Sequence, residues 1–161
     1  TLDQPSQLLA RSLTILAPTR DDYATALYAA SFNWPAVFAR LQDLCTAHGY
    51  PWHEARGFCV VVFRSRLRAG ADADWLHELD ERSDEEACAS GGLLKYWFGG
   101  ADWRGDNLAT CIWRCRADAQ RGGLGAWHRR ARGAARELYE RVEFAVLRLE
   151  VGDGGREWRF T

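Results

Sequence analysis

The chain contains no methionine, one lysine (Lys95) and four prolines, and none of its apolar runs approaches the roughly 20 residues of a membrane-spanning helix. No charged-then-apolar signal opens it, so no membrane partner is expected. Without Met the starting residue is missing, and a trimmed or processed N-terminus is the expectation. Arginine replaces lysine almost throughout: Lys and Arg total 21 against 22 Asp and Glu, a net charge of -1 and a pI near 6.4. That balance lacks the cationic excess that nucleic acid or anionic lipid would require. The five cysteines (Cys45, Cys59, Cys88, Cys111, Cys115) show no CxxC spacing. They read as reduced core thiols of a cytoplasmic protein rather than disulfides or zinc ligands. A phosphate loop, a GxSxG elbow and an HExxH pair are all missing, and no metal set is expected. The "GDGG" run at 152–155 has no helix after it to receive a dinucleotide and reads as a turn.

What is present is a core. Across 161 residues, 47% are hydrophobic, enough for one domain with an added subdomain. The join lies near "HGYPWHEARG". In residues 1–56, "SLTILAP" reads as a strand, "RDDYATALYAAS" as a helix, and "NWPAVFARLQDLCTAHG" as a second helix with Asn33 as N-cap. Trp34, Val37, Phe38, Leu41, Leu44 and Cys45 form its buried stripe. Residues 57–161 read as βαββαβ: a strand at 58–67, a helix at 72–92, strands in "LLKYWFG" and "NLATCIWRCR", a helix ending near Val142, and a last strand "FAVLRLEV".

This order predicts an α+β, ferredoxin-like sheet with both helices on one face. The strands are apolar on both faces, so the uncovered one needs a partner. The expectation is a homodimer packed sheet to sheet as a dimeric α/β barrel, with the N-terminal elements at its rim and a cavity between each sheet and its own helices.

"LATCIWRCRADAQ" followed by a helix opening "WHRRA" resembles the antibiotic-biosynthesis-monooxygenase branch of the dimeric α/β-barrel superfamily. Its members commonly carry a Trp on the third strand, an acidic-Ala pair at the next turn and a His in the second helix. These positions match Trp113, Asp118 with Ala119, and His128. The same run is similar to the haem-dependent spheroidene-monooxygenase-like branch. "VVVFRSRL", "ASGGLLKYWFG" and "NLATCIWR" resemble most closely a fungal protein family that brings no assigned reaction with it. The superfamily likeness implies oxygenation of an apolar, aromatic or polyketide-like metabolite.

The candidate site follows from residue chemistry. His128 is a solvent-edge histidine, a general base near pH 7, or the axial ligand of a haem. Gly122, Gly123, Gly125 and Ala126 beside it leave room for a ligand or make a plain flexible loop. Trp97 and Trp113 are large core residues or one flat wall for an aromatic ligand, with Tyr96, Trp127 and Phe63 as further contacts. Asn107 caps a turn or orients an oxygen. In the cofactor-free scheme His128 takes the proton while Asn107 and Trp113 orient the enolate; the same base without oxygen gives an isomerase or cyclase. A non-catalytic ligand-binding dimer is the reading from outside enzymology. The acidic run around His77 (Asp80, Glu81, Asp84, Glu85, Glu86) is a solvated face or a partner for Arg129, Arg130, Arg132 and Arg136.

Overall fold

β-branched and aromatic residues make Arg56–Leu67 (β1) the strand on which the fold is built. In the computed structural model, which describes residues 1–161, it is joined by β2 (Leu93–Phe98), β3 (Asp106–Trp113), β4 (Tyr139–Gly152) and β5 (Glu157–Phe160) in one antiparallel sheet of order β2-β3-β1-β4-β5. The helices are α1 (Gln4–Ser12), α2 (Tyr28–Ser31), α3 (Trp34–Ala47), α4 (Ala73–Ser90), α5 (Arg116–Gly122) and α6 (Ala126–Leu138). Strands β1 to β4 with α4 and α6 make the ferredoxin-like α+β unit. β5 was not expected: Gly154 and Gly155, at φ of 63° and 96°, turn the chain back so that Phe160 pairs with Leu149. No helix is long and apolar enough to cross a membrane.

The first 55 residues depart most from expectation. "SLTILAP" is no strand: α1 runs into a 3-10 turn at Leu13–Ile15, where the Ser12 and Thr14 hydroxyls donate back to the Leu9 and Arg11 carbonyls. Of the expected helix before Phe32, only the four residues of α2 form. Asn33 occupies the N-cap position of α3, but its side chain caps nothing there; it accepts from the Ala17 N–H and donates to the Ile15 carbonyl, tying the two segments together.

Register separates the two sheet faces. Phe58, Val60, Val62, Leu108, Ile112, Leu149 and Val151 share one face and are no more than 3% exposed. They are sealed by Leu8, Leu9, Leu13, Trp34, Val37, Phe38 and Leu41, while the Tyr28 hydroxyl meets Thr110 Oγ1 at 2.9 Å. So α1 and α3 cover the face expected to meet a second copy, and they are not a rim. A tethered segment outcompetes a free partner because its effective concentration is far higher. The apolarity of this face is therefore satisfied within the chain.

Two buried carboxylates hold the strand ends. Asp106 takes a bidentate pair from Arg66 at 2.9 Å, which holds it below the usual carboxylate range. Burial pushes Asp118 up, but hydrogen bonds from Arg114 (2.8 Å) and Cys115 Sγ (3.3 Å), with the charges of Arg114 and Arg121, bring it below that range.

Candidate functional site: a cleft between sheet and helices

The second face of the sheet is only partly filled. Across it run the cross-strand rows Tyr96, Cys111, Val61, Val146 and Phe98, Ala109, Phe63, Phe144. At one end Cys59, Trp113 and Ala87 close into a small core. Beyond it no such sealing occurs: Phe144 is 62% exposed, Val146 47% and Val142 44%, while Phe63, Tyr96, Ala109 and Cys111 keep part of their surface. Ala109 is small and flanked by the rings of Phe98 and Phe63, and Cys111 by Tyr96 and Val61, so the face dips along β3 and is open towards β4. Tyr139, whose ring centroid is 5.5 Å from that of Phe63, borders it, and Asp80 and Asp84, one turn apart on α4, act on Tyr96 through their charges. Burial raises the Tyr96 and Tyr139 phenols and the Cys111 thiol, with the Asp80 charge adding to each, so all three stay neutral donors at ordinary pH. Burial likewise pushes Asp80 up to about 6.

Of the residues singled out from sequence, Phe63 and Tyr96 face this cleft. Asn107 shares its face at one end, opposite Ser65, with its Oδ1 accepting from the Leu108 N–H at 2.8 Å. Trp113 sits at the other end, six residues along β3 or about 20 Å away. The two cannot orient one small enolate. Trp113 is 2% exposed and packed solid. Trp97 is on the opposite face, edge-on to Tyr23 and Phe32 at 5.5 and 4.9 Å, so no wall of two tryptophans exists. Trp127 lies on α6 with the Arg130 guanidinium 4.5 Å from its ring centroid and Arg82 at 5.8 Å. Two open depressions of about 390 and 480 Å³, one beside Trp52 and His53 and one beside Tyr23 and Asp102, contain none of these residues. Asp80, Cys111 and Tyr139 were missed as a group because they come from three elements.

His128 is held by Glu86. Its Nδ1 lies 2.8 Å from Glu86 Oε1, and the same carboxylate accepts from the Trp127 and His128 N–H groups, capping α6. Burial raises Glu86, but these hydrogen bonds outweigh it and hold the carboxyl below its usual range. Tyr139 follows the last turn of α6, so His128 and Tyr139 are about 16 Å apart along the helix. Gly122 and Gly125 near His128 make no ligand space. A Cβ at Gly125 would fall within 2.1 Å of the Glu86 carboxylate, and one at Gly122 within 2.1 Å of the Trp113 ring. Gly122→Ala is accordingly expected to cost 1–3 kcal/mol, roughly the penalty of an overpacked core, in a urea titration. The arginines of α6 do not pair with α4 carboxylates: Arg129 and Arg132 donate to the Leu124 and Gly123 carbonyls.

The profile of the PB2B2.08-like family matches residues 1–161. The chain belongs to that family. The UPF0643 protein PB2B2.08 of Schizosaccharomyces pombe is 35% identical over 147 residues, 86% of this chain and 65% of that protein. The chain thus spans just under two thirds of its relative's length. Among solved structures, protein SO0527 of Shewanella oneidensis is similar at a TM-score of 0.53 and 10% identity, covering 62% of this chain and 100% of that one. Rv0793 of Mycobacterium tuberculosis gives 0.50 and 21%, covering 56% and 92%. These two show the fold alone. SnoaB of Streptomyces nogalater, a cofactor-independent oxygenase, gives 0.47 and 13%, covering 55% and 89%.

Proposed function

We propose that the chain is a small-molecule enzyme that works in the cleft between the sheet and α4 on a flat, apolar, aromatic or polyketide-like metabolite. One observation carries this reading: one face of the sheet is sealed while the other leaves Phe144, Val146 and Val142 exposed beside a trough floored by Ala109 and bordered by the Tyr96 and Tyr139 phenols. An apolar floor with a few converging polar groups is the usual composition of a ligand site. The reaction class proposed is oxygenation without a cofactor, taken from the resemblance of the Trp113 to His128 run to antibiotic-biosynthesis monooxygenases. The protein's part is to position the substrate and remove a proton, leaving an electron-rich enolate for dioxygen.

A haem on His128 fits the residues poorly. The Trp113 indole and the Glu86 carboxylate fill the space beside Gly122 and Gly125, and Glu86 takes the imidazole Nδ1. His128→Ala should therefore leave turnover unchanged and cost about 1 kcal/mol for the lost hydrogen bond. A turnover loss of about 10² or more in a folded variant, read by oxygen uptake, would return the base to His128.

The reading is tested by filling the trough. Ala109→Leu should abolish conversion of a polycyclic phenol, followed by oxygen electrode and product mass, while leaving the fold intact by circular dichroism. Conversion without oxygen uptake would make the enzyme an isomerase or cyclase. Binding without any conversion would make it a ligand-binding module. A Soret band in protein expressed with haem supply would replace the cofactor-free scheme.

A further inference from the structure

Charge is divided unevenly between α4 and α6, which pack against each other. From Asp72 to Ser90, the N-cap and body of α4 hold eight carboxylates against one arginine, while α6 holds four arginines against one carboxylate, Glu137. The whole chain is close to neutral, at -1, so the two signs are segregated on its surface. By the helical period, Asp74, Glu78, Glu81 and Glu85 form a stripe opposite the buried Leu79, Ser83 and Ala87, and all four are exposed. Arg129 and Arg136 form the matching stripe on α6, opposite Trp127, Ala131 and Leu138, with Arg130 and Arg132 beside it; all four arginines are exposed.

Little of this charge is compensated within the chain. The ion pairs of α4 are Arg82 with Glu85 and Glu86 with His128. No arginine of α6 comes within 4 Å of a carboxylate oxygen: Arg129 and Arg132 donate to the Leu124 and Gly123 carbonyls, and Arg130 lies over Trp127. Gly133 sits between Arg129 and Arg136 on the same exposed side, with nothing within 4 Å of the place a Cβ would take. A glycine inside a helix costs about 1 kcal/mol relative to alanine, and no contact within this chain accounts for it. It leaves a notch at which a second helix can approach closely.

We propose that the chain forms a two-fold homodimer through this helical layer, with Asp74, Glu78 and Glu81 of α4 facing Arg129 and Arg136 of the partner subunit. A two-fold axis running between α4 and α6, along the helices, puts the acidic helix of each copy over the basic helix of the other, so both pairings form at once. Charge complementarity of this kind sets partner and orientation. It also selects a second copy over a partner of one sign, which would satisfy one helix and repel the other. The sealed face of the sheet offers no competing contact, because α1 and α3 already occupy it. The inference is independent of the cleft reading.

The experiment is sedimentation velocity on the full chain in roughly 20 and 500 mM salt, which screen surface charge weakly and strongly. Wild type should be a dimer at low salt, with its dissociation constant raised about ten-fold or more at high salt. Arg129→Glu with Arg136→Glu, and separately Glu78→Arg with Glu81→Arg, should each give a folded monomer by circular dichroism, since like charges then meet at both contacts. An equimolar mixture of the two variants should restore the dimer, because each acidic stripe again faces a basic one. Gly133→Leu should weaken the dimer without unfolding the chain. A wild type that is monomeric at low salt overturns the proposal, as does a dimer that survives both charge reversals. Two folded monomeric variants that fail to associate when mixed overturn the two-fold pairing of α4 with α6.

Discussion

Trp34→Ala is expected to destabilise the protein by about 3–5 kcal/mol, the range for truncating a large aromatic in a solid core. Trp34 is fully buried on the first turn of α3. Its ring lies 4.9 Å from Phe160 and 5.6 Å from Tyr28, and its indole N–H donates to the Tyr28 carbonyl at 3.4 Å. These contacts clasp α2, α3 and the edge strand β5 together over the sheet. Loss of the ring therefore opens a cavity that the paired strands cannot collapse to fill. Urea unfolding followed by circular dichroism should show one transition moved to lower denaturant. If the N-terminal helices were a loosely attached rim, the loss would stay under about 1 kcal/mol, the range of a substitution outside the core.

Asp80→Asn is expected to do the reverse, and only above acidic pH. Burial raises the folded-state value of Asp80 from 3.8 to about 6, so the native protein holds this proton more tightly than the unfolded chain. The stability that results is fully present below about pH 4 and is lost as pH rises through about 6. That rise corresponds to about 3 kcal/mol, which wild type forgoes at pH 8 and the amide variant does not. The two proteins should thus differ most at pH 7–8 and converge near pH 3.5. Asp106 and Asp118 have the opposite sign. Both are depressed in the folded state, so their contribution is present above the unfolded carboxylate value and disappears as pH falls through their folded values.

How much was legible depends on whether a signal is local. The stripe from Trp34 to Cys45 repeats at helical spacing, and the helix is there at Trp34–Ala47. β1 and α4 stand within two residues of expectation because alternation and a glycine stop belong to single segments. β5 was invisible: four residues are too short for a period to register, and the strand exists only because β4 offers it an edge. "SLTILAP" misled because a short apolar run suits a strand and a buried helix end equally well.

The site shows the same division. Phe63 and Tyr96 follow from strand alternation and share a face in the folded chain. Trp97 and Trp113 looked like one wall, yet a register irregularity between Leu93 and Lys95 and the antiparallel pairing of β2 with β3 put them on opposite faces. His128 stood out by residue type alone; only folding showed that its imidazole and two helix-start amides share Glu86, 42 positions away.

By itself, the sequence determined that the chain has a two-faced apolar sheet with helices between its strands, since periodicity and turn residues are properties of contiguous segments. Tertiary structure alone decided which face is sealed, by whose helices, and that Phe63, Tyr96 and Tyr139 share the other. The physical reason is range: alternation is set by neighbours in the chain, whereas burial and the electrostatics it produces depend on atoms that only packing brings near.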